Sequence, residues 1–162
     1  MAQESHEALA QVLDEQIAAA ARLAEGLRAE RAALSGRTVE DLHSATRDKE
    51  LLFTRFEELE QERCMVCATL GARPDRQSMD ALIAAQSHGA RDSLLARWQR
   101  LMDLTSHCRD ANETNGLIAQ SRQRQLLQLL GLMRSGANGG ATYGRTGVAA
   151  IAGDSSRAIA TA

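Results

Sequence analysis

From Leu42 to Leu70 a side chain placed for a helix seam returns at every seventh position, in two interleaved sets. Leu42, Lys49, Phe56, Arg63 and Leu70 form one set, and Ala45, Leu52, Leu59 and Val66 form the other. A strand alternates every second residue, so a repeat held through four heptads selects long helices packed along a coiled-coil-like seam. Pro74 is the only proline, so the ring that removes a backbone N–H and breaks helices is met once. Thr38 opens this helix: its hydroxyl can cap free N–H groups, and Asp41 adds negative charge at the positive end of the helix dipole. Gly71 closes it and Pro74 prevents immediate resumption. The span is roughly 33 residues, about 50 Å at 1.5 Å per residue.

The rest of the chain reads in the same way. A first helix over about residues 4–34 carries Leu13, Ala20, Leu27 and Leu34 at seven-residue steps, with Leu9, Ile17 and Leu23 widening the stripe and Ser35-Gly36 ending it. A short helix follows Pro74, capped by Asp75 or Ser78, with Met79, Leu82 and Ile83 facing inward. Ser87-His88-Gly89 separates it from a last helix whose heptads run from Leu94 to Met133. Leu94, Leu101, Cys108, Asn115, Arg122 and Leu129 alternate there with Trp98, Thr105, Asn112, Ala119, Leu126 and Met133. That seam is apolar at both ends and polar in the middle. Aromatics make up 2% of the chain and most of its apolar 44% is Ala and Leu, a composition suited to closely packed helices. Residues 135–162 are rich in Gly, Ala, Ser and Thr, with Tyr143 the single aromatic side chain. Such a segment buries too little apolar surface to offset its ordering entropy. The expected fold is therefore all-α: an elongated antiparallel bundle of three long helices plus a short one over residues 1–134, followed by a disordered, flexible C-terminal tail over 135–162.

Charge and motifs argue against chemistry. A net charge of -2 gives no reason to seek nucleic acid or acidic lipid. The first residues, Met1 to Glu7, are acidic and polar, unlike a signal peptide. No apolar stretch approaches the roughly 20 residues of a membrane span, so no membrane insertion is expected. Three cysteines in a chain read as cytoplasmic disfavour a disulfide framework. Gly139 to Thr146 comes one residue short of a phosphate-binding loop, but Arg145 replaces its lysine and the loop follows a helix instead of a strand. Cys64 and Cys67 have CxxC spacing, yet near a helix C-terminus the dipole opposes thiolate, and no second ligand pair accompanies them. They read as small apolar helix residues; a redox or zinc protein is the rival. His6, His43, His88 and His107 are scattered without i, i+4 pairing. No catalytic residue, metal ligand or cofactor is expected, and the chain does not read as an enzyme.

Lys49 and Arg63 occupy seam positions that normally hold Leu or Ile. If the second long helix turns back along the last with Leu70 near Leu94, counting in sevens brings Lys49 level with Asn112 and Asn115. Glu30 of the first helix then comes within about one turn of Lys49. Glu30, Lys49 and Arg63 would then form a polar layer that lowers stability but fixes register. Alternatively, Lys49 extends along its stem to solvent.

Four stretches taken together resemble the FlgN family, export chaperones for the hook–filament junction proteins of bacterial flagella. They are Leu27 to Leu34, Lys49-Glu50-Leu51-Leu52 with Leu59 and Arg63, Arg97-Trp98-Gln99 through Arg109 to Gly116, and Tyr143-Gly144 with Gly147. The Asn112-x-x-Asn115-Gly116 element is the most specific, while Arg145-Thr146 departs from the small and acidic residues common there. The resemblance implies binding to the C-terminal amphipathic helices of the junction proteins (flagellar hook-associated proteins) through about residues 112–134. It implies delivery to the cytoplasmic domain of the flagellar export gate, with Tyr143 docking there. The residues expected to bind the client are Asn112, Asn115, Gly116, Ala119, Leu126, Leu127, Leu129, Leu130 and Met133. The apolar surplus at the end of the last helix agrees with that placement. A non-catalytic coiled-coil adaptor is the alternative.

Overall fold

A computed structural model describes residues 2–36 and 38–138, with side chains over 6–36 and 38–135. Four helices account for most of them: α1 (Ala2–Ser35), α2 (Val39–Thr69), α3 (Arg76–Ala84) and α4 (His88–Asn138). Their ends follow local chemistry. Thr38 has the extended backbone of an N-cap, but its hydroxyl donates to the Asp41 carboxylate and caps no backbone N–H. Gly71, at φ +71°, ends α2. Its N–H reaches Ala68 O at 3.0 Å and that of Ala72 reaches Cys67 O at 2.9 Å, the paired return bonds of a left-handed glycine terminus. Asp75 caps α3 by accepting from the Ser78 N–H at 2.7 Å, and that bond holds its carboxyl below the usual carboxylate range. The break expected at Ser87-His88-Gly89 is shorter than its sequence suggests, because α4 already begins at His88. At the far end α4 continues to Asn138, four residues into the Gly- and Ala-rich segment. The remainder of the expected tail lies outside the described residues.

By packing, the chain falls into two units, Met1–Gln123 and Arg124–Ala162. Within the first, α1 is the central element. Leu9, Leu13, Gln16, Ala20, Leu23, Leu27, Glu30 and Leu34 are all buried, a strict alternation of four- and three-residue steps. Gln16, not Ile17, takes the second heptad position; Ile17 is only half-buried. The helices on either side run in opposite senses. Gln16 meets Glu60, and Glu30 meets Lys49, so α2 is antiparallel to α1. Asp14 meets Arg97, Ala20 meets Cys108, Leu27 meets Asn115 and Gly36 meets Arg122. The near-constant offset makes α4 parallel to α1.

The apolar core lies toward the α3 end of this unit. Leu9, Leu13 and Ala20 of α1 pack there with Cys67, Met79, Ile83, Leu94, Trp98 and Leu101. A fully buried leucine in such a cluster contributes about 1.5–3 kcal/mol relative to exposure. A smaller cluster of Leu23, Ala24, Leu27 and Cys108 follows, with Leu52 and Ala111 against it. The packing is close: a Cβ on Gly26 would stand 2.8 Å from Leu52 Cδ1.

Candidate functional site

Beyond the second apolar cluster the seam turns polar. The Lys49 ammonium donates to Glu30 Oε1 at 2.8 Å and to Asn112 Oδ1 at 3.5 Å. Asn115, buried, donates through Nδ2 to Glu30 Oε2 and to the Leu27 carbonyl, each at 2.8 Å, and its Oδ1 accepts from Arg31 Nε at 3.0 Å. Both Glu30 oxygens thus have charged or amide donors, as a buried carboxylate requires. Lys49 keeps about a fifth of its side chain in solvent: the stem lies in the seam and the ammonium sits at its edge.

Arg63 does not join this layer. It is buried about four turns along α2 toward the α3 end and belongs to a separate cluster. Its guanidinium donates to both Glu60 oxygens, at 2.5 and 3.0 Å, and to the Pro74 carbonyl at 3.2 Å. The guanidinium carbon also lies 5.3 Å from the centre of the Trp98 ring, within cation–π range. Gln16 completes the cluster by donating to Glu60 at 2.8 Å. Burial pushes the Glu60 carboxyl up, but the Arg63 and Gln16 bonds and the Arg63 charge outweigh it, leaving the group below its ordinary value. Trp98 Nε1 donates to Asp80 at 3.1 Å, tying α4 to α3.

Of the CxxC pair, Cys67 takes part in the core while Cys64 is half-buried. Cys67 is fully buried, its sulfur 3.4 Å from Met79 Sδ, and burial pushes its thiol up despite the nearby Arg63 charge. Reactive thiols are shifted the opposite way.

The residues expected to meet a client divide into three groups. Asn115 is buried and bonded within the bundle. Asn112 and Ala119 are exposed, and Gly116 has open space where a Cβ would stand. In the second unit Leu126, Leu127, Leu129, Leu130 and Met133 are all exposed, as is Leu132. Leu126, Leu129, Leu130 and Met133 fall on one helical stripe, at i, i+3, i+4 and i+7. Tyr143 and the Gly139–Thr146 stretch lie outside the described residues.

Sequence periodicity gave no sign of one further feature of the first unit. An apolar groove of about 560 Å³ opens between α2 and α4, floored by Leu23 and Leu27 of α1 and walled by Phe53, Phe56, Thr105 and Cys108. Phe53 is half exposed at its lip and stands off both heptad sets, which is why the repeat does not point to it.

The long parallel and antiparallel helices and the polar seam define an all-helical bundle protein with an exposed leucine row among its described residues. Residues 1–150 match the FlgN protein family, and the chain belongs to that family of flagellar chaperones. No curated protein and no solved structure matches it. Among the described residues no helix is long and apolar enough to cross a membrane.

Proposed function

We propose that this chain is a cytoplasmic type III flagellar export chaperone. It binds the C-terminal amphipathic helices of the hook–filament junction proteins, prevents their premature association and delivers them to the export gate, without catalysis. The observation that carries this reading is the leucine stripe of α4. Leu126, Leu129, Leu130 and Met133 are 61%, 58%, 49% and 71% exposed. An apolar row of this kind on a surface marks a place where another molecule docks, and an amphipathic helix laid along it would engage the i, i+3, i+4 and i+7 positions. Family membership supplies the kind of partner.

The test is binding of the full chain to a peptide of a junction protein's C-terminal helix, followed by calorimetry and by light scattering after size exclusion. The Leu126→Gln/Leu130→Gln double variant should keep its helicity and lose at least about tenfold in affinity, since two apolar anchors are removed. Undiminished binding by that variant would move the client elsewhere. A chain that self-associates and binds no junction-protein peptide is the coiled-coil adaptor instead. In the same proposal Tyr143 docks on the cytoplasmic domain of the gate. Tyr143→Ala should then retain client affinity and weaken capture by that domain; a fall in client affinity would reassign the residue.

A further inference from the structure

The seat that holds α3 continues past the end of that helix. Met79 and Ile83 set the nine-residue α3 into the core beside Cys67 of α2 and Trp98 and Leu101 of α4. At 100° per residue, Cys67, Arg63, Phe56, Phe53 and Lys49 lie within about 40° of one line along α2. Trp98, Met102, Thr105, Arg109 and Asn112 do the same along α4. The first members of each line meet α3 or the turn before it. The later ones wall the groove of about 560 Å³, whose floor runs along α1 from Ala20 to Leu27. The α2 edge of this groove is acidic. Glu50 and Glu57 stand on its outer side, opposite the packed side marked by Leu52 and Leu59. Both are exposed. Their carboxylates enter no ion pair or hydrogen bond among the described residues, whereas Lys49, Arg55, Glu58, Glu60, Glu62 and Arg63 do. The two acids are seven positions apart, about 10 Å along the axis. On the α4 side Arg109 and Glu113 are of opposite sign, so that edge has no net charge.

We propose that this groove receives an amphipathic helix of a partner protein. Its apolar side covers Leu23, Leu27 and Phe53, and one flank carries two cations seven positions apart, facing Glu50 and Glu57. The occupant is a helix because α3 displays what the two walls accept: a helix with two large apolar side chains, four positions apart, turned inward. The floor is about two turns long, so an incoming helix finds room there for anchors at i, i+4 and i+7. Phe53, half exposed at the lip, is the kind of aromatic on which interface energy concentrates. Apolar burial alone is non-directional. Two unpaired carboxylates on one edge favour the rotation that brings cations to them, and act on partner choice and encounter rate more than on affinity. None of these residues belongs to the leucine row of α4, so the site stands independently of the role proposed for that row.

The probe is a helical peptide of about 18 residues with leucines at i, i+4 and i+7 and two positions on one flank, seven apart. It is made with Lys, Gln or Glu at those two positions and titrated calorimetrically against the full chain at low and high salt. Lys should bind tightest, then Gln, then Glu, with about a three- to tenfold step from Lys to Gln at low salt that shrinks at about 0.5 M salt. Glu50→Lys/Glu57→Lys should reverse the order. Phe53→Ala should keep its helicity and weaken every version by about fivefold or more. The order should persist in Leu126→Gln/Leu130→Gln, which leaves the groove intact. Equal affinities for the three peptides, or no binding of any of them, would overturn the proposal. Binding kept in Phe53→Ala but lost in Leu126→Gln/Leu130→Gln would place the peptide on the leucine row, overturning the groove site and leaving the proposed function standing. Dimerisation of the chain alone that Phe53→Ala abolishes would make the occupant a second copy and overturn the assignment to a partner.

Discussion

The middle and the end of the α4 seam invert the usual relation between residue type and burial. Asn115 sits at a seam position and is 2% exposed; in the facing helices Gln16, Glu30 and Arg63 are equally enclosed. The next turns of the same helix put leucines at seam positions, and these are half or more in solvent. A side chain's polarity sets what burial costs, while the neighbouring helix decides whether burial happens. Where α1 and α2 supply neighbours, polar groups are enclosed and almost all are paired, the buried Gln16 Oε1 being the exception among the described residues. At the end of α4 the leucines are exposed among the described residues. Buried polar contacts of this kind are known to fix register, and in the proposed function the exposed apolar row is where the client helix docks.

Four measurements would break or sharpen that contrast. The largest effect is expected from Leu27→Ala, which opens a cavity in the enclosed part of the seam and should cost about 3 kcal/mol in denaturant unfolding. A loss below about 1 kcal/mol would mean the site is less enclosed than its 2% exposure indicates. Next comes Lys49→Met, which leaves the Glu30 carboxylate with Asn115 as its remaining donor and should cost about 2 kcal/mol. Adding Glu30→Gln should recover part of that loss, and an unchanged melting temperature in the single variant would reject a structural role for the pair. A smaller effect attaches to acid. Glu60 has a lowered folded-state pKa, so its contribution is present above its unfolded value near 4.5 and disappears as pH falls through the folded value. Because Glu60 is partly open to solvent, the loss should stay near or below about 1 kcal/mol. Glu60→Gln should flatten that part of the stability–pH profile; an unaltered profile would assign the acid sensitivity to other carboxylates. The smallest effect is Leu130→Ala, the same chemical change as at Leu27, which should shift stability by less than about 0.5 kcal/mol. A large loss would show that the stripe is covered within the chain.

Much of this arrangement was legible in the residues. The seven-residue steps through Leu13, Ala20, Leu27 and Leu34 match the buried face of α1. Counting sevens from Leu70 and Leu94 placed Lys49 beside Asn112 and Glu30, where the hydrogen bonds are found. Gln16 was missed because hydrophobicity favoured Ile17; the spacing Leu9, Gln16, Leu23, Glu30 would have found it, had period outweighed polarity. Arg63 sits in the right register but its partners do not repeat. The Pro74 carbonyl and the Trp98 ring reach it through the α2–α3 turn, whose path no heptad encodes. Thr38 is recognisable as the N-cap of α2 by residue type, but its hydroxyl is turned to donate to the Asp41 carboxylate and its oxygen accepts from no backbone N–H. The groove beside Phe53 depends on how far α2 and α4 stand apart, a distance that the pattern of one helix does not contain.

Trp98, the only tryptophan, is enclosed where α2, α3 and α4 meet, with a guanidinium over its ring and its indole N–H on Asp80. Its fluorescence is therefore an intrinsic reporter on that junction: emission should redden and lose its quenching pattern when the bundle opens. A peptide that settles on the leucine row without loosening the bundle would leave the spectrum unchanged. One spectroscopic channel can thus separate loss of architecture from loss of recognition without any attached dye.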